Sequence, residues 1–162
     1  MPQLILVRHG IAEDAGPGQA DADRALTQRG RERVVAVAGT LATLLGPVDR
    51  LVSSDLLRAR QTADLLAEAL TPVERTVFPG LAPEGAPRGV YAWLQGEPAV
   101  ETTILVGHEP QMNALLALAL TGQTAGLARF RKAGVAVVEF PGALQPGAGR
   151  LEAFLPPALL AG

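Results

Sequence analysis

Four apolar residues in a row, Leu4-Ile5-Leu6-Val7, run straight into Arg8, His9 and Gly10, and no other stretch restricts the fold as much. A run this short, closed by glycine, reads as a buried strand. A strand with one wet face alternates apolar and polar residues. One that is apolar throughout is covered on both faces, as a central strand of a parallel sheet flanked by helices must be. Thr102 to Val106 repeats the pattern and is closed by Gly107, His108 and Glu109. His9 and His108 are the two histidines of the chain, so each stands at the carboxyl end of such a strand. That end of an open α/β sheet forms the crevice where ligands bind, and Gly10 is expected to let the backbone turn sharply there. A single histidine of this kind is usually satisfied within a core, whereas two at equivalent strand ends point to a shared site.

The intervening segments supply the helices that such strands need. Ile11 to Ala22 is small, acidic and rich in Gly and Pro, and reads as a loop over the sheet end. Thr27 is placed to cap a helix carrying Val34, Val37, Ala38, Leu41 and Leu45 at helical spacing, ended by Gly46-Pro47. Val48 to Ser53 predicts a second strand, and Ser54-Asp55 starts a helix striped by Leu56, Ala59, Ala63, Leu66 and Leu70. Val73 to Phe78 is the third strand, and a loop over Pro79–Pro87 leads to a short helix with Val90, Trp93 and Leu94 inward. After Thr102 to Val106, Pro110 suits the first position of a buried helix running to Leu120. Ala133 to Phe140 and Arg150 to Leu155 flank a Gly/Pro-rich turn and form an edge hairpin. The pattern predicts one α/β domain over residues 1–162, a three-layer sandwich with a mostly parallel sheet, an antiparallel edge and helices on both faces.

Composition narrows the function. With 48% hydrophobic and 19% charged residues the chain folds rather than staying disordered. A net charge of −2 argues against a general nucleic-acid or anionic-membrane binder, so any anion site is local. The absence of cysteine removes disulfides, thiolate metal sites and a cysteine nucleophile. No apolar run is long enough for a bilayer and no signal peptide is visible, so a cytoplasmic protein is expected.

Arg58 lies in the first turn of its helix, where a cation opposes the macrodipole. It is misplaced there unless an anion lies between it and the helix end. Arg8, His9, Arg58 and His108 thus collect at one sheet edge as an oxyanion pocket, and guanidinium forks suit the equatorial oxygens of a transferring phosphoryl group. No metal-ligand cluster is visible and no cofactor is implied. Arg29, Arg31 and Arg33 read as a solvated helix face, with Arg24 and Arg29 near the crevice, and Arg129, Arg131 and Lys132 as a basic surface patch.

The motifs resemble the histidine phosphatase superfamily, which includes the cofactor-dependent phosphoglycerate mutases, and within it the small SixA-type phosphohistidine phosphatases. The resemblance rests on Leu6-Val-Arg-His-Gly10, Asp21-x-x-Arg-x-Leu-Thr-x-x-Gly30, Ser54-Asp-Leu-Leu-Arg-Ala-Arg-Gln-Thr-Ala63, Leu81-Ala-Pro-Glu-Gly85 and Val106-Gly-His-Glu-Pro110. It implies that His9 is phosphorylated during turnover, while Arg8, Arg58 and His108 bind the transferring group. Gly10, Arg24, Ser54 and Glu109 are the expected substrate contacts around them. His9 must be neutral to attack, and His108 is expected as an imidazolium.

Two departures bear on the substrate. Asp55 stands where the family usually has proline, and Ala86 replaces an acid that often follows in the Glu84 loop. Glu84 is then the general acid implied by the resemblance, with Glu13, Asp14 and Glu109 as other carboxylates near the crevice. A phosphorylated imidazole leaves readily once protonated, whereas an alkoxide needs a positioned acid, so an ill-defined acid favours phosphoamidates. Larger relatives carry an insertion after the third strand that caps the site; this loop is too short for a lid. The expected activity is therefore a metal-independent phosphatase acting on phosphohistidine in a signalling protein such as a phosphotransfer domain, as a monomer or weak dimer. The alternatives are a phosphomonoesterase of small esters, such as a sugar phosphate or ribazole phosphate, and a non-catalytic phosphate-binding module.

Overall fold

The protein is described by a computed structural model covering residues 1–160. Six strands form one sheet. The central pair is β1 (Gln3–Arg8) and β4 (Thr102–Gly107), followed outward by β2 (Arg50–Ser53) and β3 (Glu74–Val77), all parallel. On the other side β5 (Val135–Glu139) runs antiparallel to β1, and β6 (Arg150–Leu155) antiparallel to β5. This is the expected α/β architecture with its antiparallel edge.

The apolar run of β1 is divided between two cores. Ile5 and Val7 join Val34, Val37 and Leu41 of α1 (Gln28–Leu44) and Ala59, Ala63 and Leu66 of α2 (Leu57–Leu70). Leu4 and Leu6 face the opposite way, into Val90 and Leu94 of α3 (Pro87–Gly96) and Leu115 and Leu118 of α4 (Gln111–Thr121). Successive side chains of a strand point to opposite faces, so a strand with two covered faces needs apolar residues at every position. Each such side chain contributes about 1.5–3 kcal/mol by leaving water. A short helix, α5 (Pro157–Leu160), follows β6 and packs near α1.

Local chemistry accounts for the element ends, with three differences from expectation. Thr27 caps α1, its hydroxyl accepting the Gly30 N–H at 2.8 Å. Ser54 does not cap α2; the N-cap is Leu56, and Ser54 lies before it, turned inward. Pro110 is the N-cap of α4 rather than its first residue. Gly10 is not in a left-handed turn; a Cβ there would approach Val34 Cγ2 to 2.7 Å, so the glycine provides room for α1 against the sheet end. A Cβ on Gly30 would likewise collide with the Ile11 carbonyl, and the bridge Ala12–Leu26 closes the intervening loop over the sheet.

Candidate active site

Strand register brings the two histidines together. Arg8 pairs with Gly107 across the parallel ladder, so His9 and His108 emerge at the same level, and His9 N–H donates to the Gly107 carbonyl at 3.0 Å. Their ring centroids are 5.0 Å apart.

His9 is 6% exposed. Its Nδ1 is 2.6 Å from the Gly10 carbonyl, which can only accept, so Nδ1 carries the hydrogen and Nε2 keeps its lone pair. Burial pushes the imidazole pKa down to about 3, against the opposing pull of the Gly10 carbonyl and with the help of the positive charge of His108, Arg58 and Arg8. The imidazole is therefore held in its neutral form, the state that attack on phosphorus requires. Thr62 fixes the turn, since its hydroxyl accepts the Gly10 N–H at 3.0 Å and donates to the Arg58 carbonyl at 2.8 Å. Both backbone groups of Gly10, expected to contact substrate, are thus used within the protein.

His108 Nε2 lies 2.7 Å from the hydroxyl of the fully buried Ser54. That hydroxyl accepts the Leu56 N–H at 3.3 Å, and its own hydrogen has no acceptor other than Nε2 among the described residues, so the pairing that satisfies it has Oγ–H donating to Nε2 and the imidazole hydrogen on Nδ1. Nδ1 is buried with no partner among the described residues. An N–H in that condition is a donor awaiting an acceptor. The imidazolium expected of His108 is one that faces an oxyanion; with protein groups alone, burial, followed by the charge of Arg58, lowers its pKa to about 4, with Asp21 pulling the other way. Burial, reinforced by the neighbouring cations, therefore favours the neutral form of both histidines.

Arg58 occupies the first turn of α2, as expected, and is 4% exposed. The anion that faces it is Asp21. Arg58 donates through Nη1 to the Asp21 carbonyl at 2.9 Å and through Nη2 to the Asp21 carboxylate at 3.1 Å. Arg24, half-buried, donates through Nε to the same carboxylate at 2.9 Å and through Nη1 to the Glu13 carbonyl. These bonds, that of Arg24 first, hold the Asp21 carboxyl below its usual pKa. Arg8 donates through Nη1 to the Phe130 carbonyl at 2.9 Å. Burial lowers its pKa, Glu109 opposes this and Arg129 adds to it, which places both residues within electrostatic reach. The Nε atoms of Arg8 and Arg58 are buried and unpartnered among the described residues.

The carboxylates separate. Glu84 is exposed and has no hydrogen bond or ion pair among the described residues, although its loop is anchored by Gln111 Nε2 donating to the Gly80 carbonyl at 2.8 Å. Glu109 is half-buried, accepts the Asn113 N–H at 2.8 Å inside α4 and faces Arg8. Glu13 and Asp14 are exposed, Glu13 being held through its backbone. Arg29 is exposed and Arg31 and Arg33 are half-buried. Asp21 has no role assigned by the motif Asp21-x-x-Arg24 alone; an acid three residues before that arginine is its signal in the sequence. Ser54, read as a helix start, is instead the partner of His108.

Two guanidiniums of fixed charge, an imidazole donor and a neutral imidazole nucleophile converge here, an arrangement able to receive a tetrahedral oxyanion and attack its centre. Among the described residues no group of three or more His, Asp and Glu side chains is arranged to hold a metal ion.

The comparisons agree with the geometry. The family model described as the histidine phosphatase superfamily (branch 1) matches residues 4–82. An uncharacterised protein of Picosynechococcus sp. is 37% identical over 153 residues, covering 93% of this chain and 89% of its own. Phosphohistidine phosphatase SixA of Escherichia coli is 30% identical over 125 residues, covering 75% of this chain and 76% of its own. A solved structure of the protein histidine phosphatase SixA complexed with tungstate superposes with a TM-score of 0.85 at 28% identity, covering 98% of this chain and 99% of that one.

Proposed function

This chain belongs to the histidine phosphatase superfamily and is a phosphatase, and we propose that it hydrolyses phosphohistidine on a signalling protein in the cytoplasm, without a metal, through a phosphohistidine at its own His9. The observation that carries the reading is the bond from His9 Nδ1 to the Gly10 carbonyl, which leaves a neutral Nε2 lone pair free on a ring within electrostatic reach of two permanent cations, Arg8 and Arg58.

In the first step Nε2 attacks phosphorus in line with the departing group. The new N–P bond forms as the P–N bond of the substrate breaks, and the leaving imidazole nitrogen takes a proton from solvent at the open crevice; the water that later attacks phosphorus returns one. Arg8 and Arg58 neutralise charge on the equatorial oxygens, and His108 Nδ1–H donates to one of them. The charge on the phosphoryl group also favours an imidazolium at His108 once substrate is bound. Water then attacks the phosphorylated His9, inorganic phosphate leaves and the neutral imidazole returns.

Two features support phosphohistidine over a phosphate ester. The exposed Glu84 has no partner holding it toward the histidines, and an imidazole leaving group depends less than an alkoxide on a positioned acid. Nine residues connect β3 to α3, too few for a lid, which leaves the crevice accessible to a side chain displayed on another protein.

The test compares phosphoramidate, a phosphohistidine peptide and simple phosphomonoesters with wild type and His9→Ala, with EDTA present. Acid-labile phosphate trapped on wild type and lost in the variant, with the phosphohistidine peptide turned over best, is the expected result. Turnover by His9→Ala within tenfold of wild type would remove His9 as the nucleophile.

A further inference from the structure

Beside the catalytic pocket lies a cleft of about 560 Å³ that shares Arg8 with it and is bordered by Arg33, Arg129, Arg131 and Lys132. We propose that this cleft is a docking shelf for an acidic protein surface around the phosphorylated histidine, an inference that rests on the phosphatase reading above and specifies the partner.

The charge distribution is the first support. The chain as a whole carries −2, yet among the described residues the cleft is bordered by cations and by no carboxylate. Among the described residues none of the side chains of Arg33, Arg129, Arg131 and Lys132 has an ion-pair or hydrogen-bond partner. Elsewhere among the described residues Arg24 and Arg58 pair with Asp21, Arg50 with Glu74 and Arg75 with Asp64, while Arg29, Arg31 and Arg150 also stand without an ion pair but do not line this cleft. Unmatched like charges gathered in one place repel one another, and an acidic partner relieves that repulsion.

The second support is the build of the cleft. Arg129, Arg131 and Lys132 are exposed, while Phe130 and Pro157 are buried. A charged rim over an apolar floor is the anatomy of a protein interface. A site made for one small anion would bury its guanidiniums and hydrogen-bond them, as the catalytic pocket does with Arg58. The rim also joins distant parts of the chain, Arg33 on α1 and the segment before β5, so it is wider than a single anionic group.

The third support is continuity. Arg8 donates to the carbonyl of Phe130 in the cleft, and it acts electrostatically on both His9 and His108. A partner seated on the shelf therefore lies directly beside the phosphoryl site.

Two phosphohistidine peptides test this, one with the histidine flanked by glutamates and one by serines, each measured against phosphoramidate on the same preparation. Wild type is expected to favour the glutamate peptide by about tenfold in kcat/KM at low salt, a preference that fades as salt shortens the screening length to roughly 3 Å near 1 M. In the double variant R131E/K132E the ratio of the two peptides should fall to near one or invert. Equal rates for the two peptides with wild type, or a preference kept by the double variant, overturn the shelf while leaving the phosphatase reading intact. A gain for a small bisphosphorylated compound with none for the peptide overturns the protein partner. If phosphoramidate and both peptides are inert, the phosphatase reading fails, and the shelf is judged by fluorescence anisotropy of the labelled glutamate peptide: salt-sensitive binding lost in R131E/K132E upholds it, equal binding by both proteins overturns it.

Discussion

Arg58 grips Asp21 twice, through the backbone carbonyl and through the carboxylate. The two contacts have different consequences. The carbonyl bond holds the guanidinium in place whatever the side chain at position 21, whereas the carboxylate competes with a phosphoryl group for the same N–H donors.

Asp21→Asn is accordingly expected to tighten inhibition by inorganic phosphate by about threefold to tenfold, the scale of a partly exposed ion pair. The measurement is the inhibition constant of phosphate against phosphoramidate turnover. Weaker inhibition together with a large fall in kcat would mean that the carboxylate is needed to position Arg58.

Ser54→Ala removes the hydrogen-bond partner of His108 Nε2 and frees the ring to take the other tautomer. Turnover should fall by about tenfold or more, the kinetic equivalent of one modest hydrogen bond, while Ser54→Thr, which keeps the hydroxyl, should recover part of it. A structural role alone predicts lower melting temperatures for both variants and an unchanged kcat.

Glu84 and Glu109 are separable by leaving group. Acid assistance matters in proportion to the basicity of what departs, so the donor's replacement by glutamine should slow alkyl phosphate hydrolysis by roughly 10²-fold and phosphoamidate hydrolysis much less. Glu109 faces Arg8, whereas Glu84 stands free on its loop. If Glu84→Gln shows the asymmetric loss, the loop moves inward with substrate bound. If Glu109→Gln alone shows it, Glu109 is the acid. Equal losses on both substrates for both variants would exclude a positioned acid among these two.

Acidification should weaken the fold. Below the ordinary imidazole value of 6.5 an unfolded chain protonates both histidines, while the native protein resists until about 4 at His108 and about 3 at His9. The unfolded state then binds more protons, so stability present above pH 6.5 is lost as pH falls toward those values, by up to about 1.4 kcal/mol per pH unit for each histidine. Urea midpoints at pH 7 and pH 5 check this, and His108→Gln should show the smaller change. Identical midpoints for wild type at the two pH values would contradict the depressed imidazoles.

Much of this was legible beforehand because it depends on periodicity. Leu4 to Val7 could be placed between two helical layers without coordinates, since unbroken apolarity over a strand length has few other meanings. His9 and His108 followed, because equivalent strand ends in a parallel sheet lie side by side. Arg58 was visible as a cation in the wrong half of a helix. The opaque parts depend on contacts between segments that have no period. Asp21 sits in an irregular loop, and nothing in its neighbours says that its carboxylate turns toward α2. Gly10 looks like a turn residue, but it is required by the Val34 side chain from another element. The charge of His108 depends on how deeply the ring lies and on the cations around it, neither of which residue spacing reveals.

The division of β1 between two cores has a further consequence for durability. Ile5 and Val7 are locked from one side and Leu4 and Leu6 from the other, so β1 cannot open unless both layers loosen together. Its amides, with those of β4, should be among the slowest to exchange with solvent, requiring something close to global unfolding rather than fraying. His9 is tethered to that strand by one peptide bond. Catalytic competence should therefore persist through partial openings at the β6 edge and end abruptly, in the same transition that melts the sheet.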